Sequence, residues 1–279
     1  MLKRLLLSRL QYFFFLCGRR IDRTIAAGPS LVVAPHPDDE TLGCGAAIVR
    51  ARAAGQRVRV VIVTDGRASA RSAIIAPDAL AAMRRSEAKR AARVLGVEPE
   101  DLIFLDFPDG ETERHMKHIA SALREQIEIF APSQIFACHI VDGHPDHRAV
   151  AAAVTHLCEA GSIPCPVYDY PIWFWPQFAL GYLLRPRMLA RIRAIDARPG
   201  LARKREAMAE YRSQLENATG EKGWFILPEA YLARFFRPYE LFFERPVRAI
   251  QAAIPSAPTA VLARSAAGES LPESAASLQ

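Results

Sequence analysis

The sequence predicts an α/β fold built on a mostly parallel sheet. Three observations carry that expectation. Short β-branched runs alternate with longer helix-like stretches from residue 30 to about 172. Several of these runs are apolar without alternation, as strands covered on both faces are. Each run also ends in a polar turn, and in a parallel sheet those turns share one edge.

The elements follow in order. Leu31 to Ala34 reads as a strand, and Thr41 to Ala54 as a helix stopped by Gly55. Arg57 to Thr64 is a β-branched strand ending at Asp65-Gly66. Asp78 can cap a helix running through Leu80, Met83, Ala88, Ala91 and Leu95 to Gly96. Asp101 to Asp106 is a strand, followed by Phe107-Pro108-Asp109-Gly110 and a helix from Glu113 to Phe130. Gln134 to Ile140, Arg148 to Glu159 and Val167 to Trp173 continue the series as strand, helix and strand. The whole is a Rossmann-like, mostly parallel sheet with helices on both faces, in a single domain. Beyond residue 175 the pattern loosens. Arg203 to Glu216 reads as a helix, and Tyr231 to Phe243 as an aromatic-rich stretch. From Ala249 onward the chain is rich in Ala, Ser and Pro and reads as a disordered tail. The expected organisation is therefore 1–24, 25–248 and 249–279.

At 279 residues the chain can bury a full core in one domain. A composition of 51% hydrophobic and 24% charged residues is that of an ordinary globular protein. The five cysteines, Cys17, Cys44, Cys138, Cys158 and Cys165, are odd in number and show no CxxC spacing. That argues for reduced thiols in a cytoplasmic setting and against a disulfide framework. Net charge is +6, and residues 1–24 hold Lys3, Arg4, Arg9, Arg19, Arg20 and Arg23 against Asp22. A second basic stretch holds Arg185, Arg187, Arg191, Arg193 and Arg198. Such runs suit an anionic membrane surface or an anionic substrate, or form a solvated basic face. The apolar run Leu5 to Cys17 is broken by Arg9 and Gln11, too short to span a bilayer and without a small-residue cleavage site. It is either an interfacial helix, which would put the chain at the inner face of the membrane, or a helix docked on the domain. Nothing in the sequence calls for a nucleic-acid partner.

The chemistry lies in two clusters. Ala34-Pro35-His36-Pro37-Asp38-Asp39-Glu40 follows the first strand, and His144-Pro145-Asp146-His147 follows another strand, its first histidine 108 residues after His36. Two His/Asp clusters on one sheet edge are what a nitrogen- and oxygen-ligated metal site needs. His36 and Asp39 can face one point, and one histidine of the second cluster would complete a His-Asp-His set. A carboxylate beside it can then take a proton from an activated water. Gly43-Cys44-Gly45 does not make a dinucleotide site: no complete GxGxxG is present, and acidic residues open the helix. Cys44 reads as a packing residue. The aromatics of Tyr168 to Trp175 either stack on a sugar face or belong to the core.

The first cluster resembles the (A/P)HPDDE signature of the PIG-L/LmbE-like zinc-dependent N-acetylglucosaminyl deacetylases, and His144 to Val150 resembles their HPDHxxV signature. Thr64-Asp65-Gly66, Arg84-Arg85-Ser86-Glu87, Pro108-Asp109-Gly110 and Ser213-Gln214 match further elements in order, so the resemblance covers roughly residues 30 to 215. It implies zinc held by His36, Asp39 and His147, with Asp38 as general base. It implies His144 as oxyanion stabiliser or acid, oriented by Asp146, and Arg84 and Asp109 as substrate contacts. The implied reaction removes the acetyl group of an N-acetylglucosamine-type sugar or glycoconjugate. Another N-acyl conjugate, or a membrane-surface protein that binds sugar without turnover, remain as alternatives. Where the family commonly carries His this chain has Tyr211, which suggests a different substrate-side wall.

Overall fold

A computed structural model describes residues 2–70, 72–173, 185–222 and 224–246, with side chains from residue 7 onward. The expectations for Phe174, Trp175 and the tail 249–279 lie outside the described residues. In chain order the elements are α1 (Leu2–Cys17), β1 (Arg19–Arg20), α2 (Asp22–Ile25), β2 (Ser30–Ala34), α3 (Asp39–Ala53) and β3 (Val58–Thr64). Then come α4 (Pro77–Leu95), a 3-10 turn (Pro99–Asp101), β4 (Leu102–Phe107), α5 (Thr112–Phe130), β5 (Gln134–Cys138), α6 (Pro145–Glu159) and β6 (Val167–Tyr170). The described chain closes with α7 (Pro186–Leu189), β7 (Ile192–Asp196), α8 (Leu201–Ala209), α9 (Arg212–Leu215), α10 (Glu229–Leu232) and β8 (Tyr239–Glu244).

The strands form one eight-stranded sheet in the order β1-β7-β8-β6-β5-β2-β3-β4. All neighbours are parallel except β8, which runs antiparallel to both β6 and β7. The chain leaves β2 towards β3 and β4, then returns to place β5 and β6 on the other side. The switch point therefore lies between β2 and β5, where open α/β sheets form a crevice at the strands' carboxyl ends. Both His/Asp clusters leave from those two strands.

Burial explains the unbroken apolar runs. Every position of β2, β3 and β5 is buried, whereas the edge strand β4 is half-buried or exposed throughout. One helical layer pairs α5 with α6, and another packs α3 and α4 against α8. Gly43 and Gly45 serve this packing. A Cβ on Gly43 would stand 2.3 Å from a Tyr170 ring carbon, and one on Gly45 2.7 Å from the Lys204 stem. That is the physical role of the Gly-Cys-Gly run.

The N-terminal helix docks. Phe14 is fully buried against Ile192, Leu241 and Phe243, with Leu7, Leu10 and Phe15 packed around it. No helix among the described residues is long and apolar enough to cross a membrane. All five cysteines are free; Cys138 and Cys165 are buried and Cys158 is half-buried.

Three local expectations are corrected. The helix beginning near Asp78 starts at Pro77 with Ala76 as N-cap and no side-chain cap, because proline presets the first helical φ. The single helix expected over Arg203 to Glu216 is two, broken at Tyr211, whose ψ of 57° is not helical. The aromatic stretch 231–243 contains the end of α10 and most of β8, the strand that inserts antiparallel between β6 and β7.

Candidate metal centre and active-site pocket

His36 sits two residues past the end of β2, Asp39 opens α3, and His147 lies in the first turn of α6. The three are buried, with at most 9% of any residue exposed. His36 Nδ1, Asp39 Oδ2 and His147 Nε2 stand at the corners of a near-equilateral triangle with edges of 3.3, 3.1 and 3.2 Å. Ligand atoms around a tetrahedral ion with bonds of about 2.0–2.1 Å lie roughly 3.3–3.4 Å apart. The His36 N–H also donates to Asp39 Oδ2 at 2.9 Å and fixes that corner.

The other ring nitrogens face carboxylates. His36 Nε2 is 3.1 Å from Asp109 Oδ1 and 3.1 Å from Asp146 Oδ2. Its proton belongs on that side, which turns the Nδ1 lone pair into the triangle. His147 Nδ1 stands 3.4 Å from Asp142 Oδ1, outside good hydrogen-bond geometry. Two imidazole lone pairs and an anionic oxygen at this spacing repel one another unless a cation lies among them. Proton affinities express the same demand. Burial opposes charge on His36, but Asp109, Asp146 and Asp39 outweigh it and raise its pKa well above the usual value. Burial likewise opposes charge on His147, yet Asp39 and Asp142 raise it to about 9. Burial would raise Asp39, but the charge on His147 holds it low. The donor set of two imidazoles and one carboxylate fits a divalent transition metal.

Two wider groups also bring ligand atoms within 4.8 Å of one another: His36 with His144 and His147, and His36 with Asp109 and Asp146. Neither contains Asp39. We prefer the triangle because its edges are those of bonded ligands and because the Asp109 and Asp146 oxygens are occupied with His36 Nε2.

Asp38 is the N-cap of α3 and adopts φ 115°, a conformation that L-residues rarely take. Its Oδ2 accepts from Arg84 Nη2 at 3.1 Å, and the same nitrogen donates to the Pro37 carbonyl. Burial raises the Asp38 carboxyl to about 8, with Arg84 opposing and Asp39 and Glu40 adding to the rise. Asp38 thus stands beside the triangle at the wall of a cavity of about 290 Å³, shared with Leu42, Ser69, Arg84, Asp109 and His144. Ile172, Trp173, Phe225, Leu227 and Tyr231 form its apolar side. A larger cavity, about 490 Å³, opens between His139, Thr155, Met188 and Phe243. It holds none of the cluster, so size does not locate the chemistry here.

His144 caps α6: its Nδ1 accepts the Asp146 backbone N–H at 3.3 Å. The neutral ring then carries its proton on Nε2 and is a donor. Burial and the charges on His36 and His147 lower its pKa to about 4, so it is neutral at physiological pH. Asp146 meets His144 through its backbone N–H, and its carboxylate is turned elsewhere. That carboxylate accepts from Gly110 N–H, Thr112 N–H and Thr112 Oγ1 and meets His36 Nε2. It is aimed at His36 because Asp146 is the second residue of the helix and the Gly110–Thr112 turn closes over it.

The expected substrate contacts Arg84 and Asp109 both line the pocket while also holding Asp38 and His36. Tyr211 does not form the substrate-side wall. It is fully buried and donates its hydroxyl to Glu40 Oε1 at 2.6 Å. Of the aromatic stretch, Tyr168 and Tyr170 are core, whereas Trp173 reaches the pocket, stacked on Tyr231 at 4.4 Å. Asp142 went unforeseen. It accepts N–H bonds from His144, Ile172 and Trp173 and faces His147. Its place two residues before His144 was the available signal. Thr112 had none, since only the tertiary fold brings it to Asp146.

Parts of the chain match known proteins. Residues 31–158, which hold both clusters, match the family profile described as PIG-L, GlcNAc-PI de-N-acetylase. The chain is 30% identical over 133 residues to the uncharacterized deacetylase YaiS of Escherichia coli K12, covering 46% of this chain and 66% of that one. It is 32% identical over 123 residues to the diacetylchitobiose deacetylase of Thermococcus kodakarensis, covering 42% and 44%. The chain thus spans at most 66% of the length of these curated relatives. Among solved structures, the N,N'-diacetylchitobiose deacetylase of Pyrococcus horikoshii superposes with a TM-score of 0.55 at 25% identity, covering 78% of this chain and 84% of that one. With both signature clusters inside the matched segment and the same α/β architecture around them, residues 31–158 form a PIG-L domain similar to those of LmbE-like deacetylases.

Proposed function

We propose that this protein is a zinc-dependent N-deacetylase that hydrolyses the acetamido group of an N-acetylglucosamine-type sugar or glycoconjugate and releases acetate. One observation carries the reading: the triangle of His36, Asp39 and His147 has the edges of bonded ligands, with the Asp38 carboxylate beside it at the pocket wall. The similarity to sugar deacetylases supports the substrate class.

Zinc held by His36, Asp39 and His147 would supply Lewis acidity towards the amide carbonyl and the water, and would lower the pKa of groups beside it. The protein's own residues do the rest. Asp38, held by Arg84, accepts the proton of the attacking water and delivers it to the departing amine. His144, neutral and protonated on Nε2, donates to the tetrahedral oxyanion from the pocket wall. Asp109 and Asp146 keep the His36 ring turned so that Nδ1 faces the triangle. Trp173, stacked on Tyr231, and Phe225 offer an apolar side on which a sugar ring can lie. The balance is amide plus water to amine plus acetate.

The test is acetate release from a panel of N-acetylglucosamine conjugates by metal-stripped protein with zinc restored. Zinc-dependent release is expected. No release from any sugar, with one zinc bound per chain, would point to a different acyl substrate. No release and no metal binding would overturn the enzyme reading.

A further inference from the structure

We infer that the outer face of α1 is a docking surface for an anionic lipid bilayer. The helix already has what a docked helix needs, one apolar stripe pressed on the domain: Leu10 and Phe14 face Ile192, Leu241 and Phe243. A second apolar stripe runs along the side turned away. Tyr12, Phe13 and Leu16 follow Arg9 at i+3, i+4 and i+7, and are 52%, 43% and 64% exposed. Tyr12 also reaches Phe15 and Tyr239, with ring centroids 6.3 Å away in each case, and still leaves half of its surface open.

The charge around this stripe decides what it fits. Arg9 lies on the same stripe, and Arg19, Arg20 and Arg23 follow the helix, all exposed. Of these, only Arg20 forms an ion pair among the described residues, with Asp22. The second basic stretch is brought alongside: Met188 and Leu189 of α7 pack into the same apolar cluster as Phe14, which places exposed Arg185 and Arg187 on the neighbouring element. The fold thus brings a second basic run, more than 160 residues away in the chain, to an element that packs on the same apolar cluster as α1. An amphipathic helix with aromatics and leucine outward and arginines at its rim inserts to headgroup depth and gains from anionic lipid. A second copy of the chain would bring basic rim against basic rim. The chain after residue 246 is mostly small residues, and its two arginines are matched by two glutamates, so it has no charge complementarity to offer. The surface is independent of the deacetylation chemistry.

The experiment is co-sedimentation of the full chain with phosphatidylcholine vesicles, with and without phosphatidylglycerol, at low and high salt. Binding is expected on the anionic vesicles only and weakened by salt, by about fivefold for each arginine removed. The variant Tyr12→Ser/Phe13→Ser/Leu16→Ser changes exposed side chains only, and binding should be lost. Should it fail to fold, Arg9→Glu/Arg187→Glu tests the same surface by charge and should lower binding by more than tenfold. Equal binding to both vesicle types, unchanged binding of a folded variant, or no binding at low salt would overturn the inference. So would a wild-type dimer that becomes a monomer in the triple variant without any vesicle binding, which would assign the face to a second copy.

Discussion

The Tyr211 hydroxyl donates to one oxygen of Glu40 at 2.6 Å, and the other oxygen of Glu40 accepts the Asp38 N–H at 3.1 Å. Thr41 also bonds the first oxygen. Two residues remote from the pocket surface thereby hold the backbone of Asp38 at φ 115°. Ser213, two residues beyond Tyr211, bonds the Glu87 carboxylate through its N–H at 2.8 Å and its hydroxyl at 2.6 Å. Glu87 lies on α4 with Arg84, which grips the Asp38 side chain. One short segment therefore anchors the proposed base from both its ends.

Tyr211→Phe should lower kcat by about tenfold with KM little changed, because the loosened Glu40 releases Asp38 from its orientation. Zinc per chain should stay at the wild-type level. The lost buried hydrogen bond should cost about 1–2 kcal/mol of stability. Steady-state kinetics and thermal unfolding check both; unchanged kcat with lowered stability would leave Tyr211 a purely structural residue.

Asp38→Asn should reduce turnover by about 10²–10⁴-fold, the usual contribution of a general base. Its side chain is not a corner of the triangle, so metal content measured by elemental analysis should remain near wild type. Loss of metal in this variant would mean that ligand and base have been exchanged.

Asp142→Asn should weaken metal binding by about 10–100-fold, the usual effect of removing a carboxylate that supports a ligating histidine. Chelator competition reads this directly. Unchanged affinity would reduce Asp142 to a loop anchor through its bonds to His144, Ile172 and Trp173.

Asp169 pairs with Arg245 at 2.7 Å in the buried layer beneath α6. Burial raises its carboxyl to about 6, against the pull of Arg245. A folded pKa above the unfolded one, about 3.9, means that the native state binds the proton more readily. This group's contribution to stability therefore falls as pH rises from about 4 to 6. The deficit of Asp169→Asn relative to wild type should be largest near pH 4, shrink as pH rises to about 6 and level off above it, as measured by denaturant unfolding across that window. A deficit that grows towards neutrality would show that the ion pair outweighs burial.

Gly43→Ala should destabilise the fold by about 1–3 kcal/mol through overpacking against Tyr170. Its Tm is the measurement. An unchanged Tm would show that the Tyr170 ring shifts freely, despite the bond from its hydroxyl to the Val33 carbonyl at 2.7 Å.

The order of elements was legible in the sequence because strands covered on both faces are apolar without alternation. Val58–Thr64 and Gln134–Cys138 are buried at every position. The two His/Asp clusters were legible because a metal site needs uncommon residue types at close spacing. What the sequence left open was decided by contacts between distant segments. It left the Asp146 carboxylate free to reach His144, yet the turn bearing Gly110 and Thr112 draws it to His36. It suggested Tyr211 as part of the substrate wall, yet the break between α8 and α9 buries the ring against Glu40. It offered two partners for α1, and the fold assigns one side of the helix to the domain, where Phe14 finds a closed apolar partner on β7 and β8, while Phe13 and Leu16 stay exposed on the other. Local composition determines which segments become strands, helices and polar turns, because burial and turn chemistry act within a few residues. Which carboxylate meets which imidazole is settled only when strand order brings the turns together, because a hydrogen bond reaches about 3 Å whatever the separation along the chain.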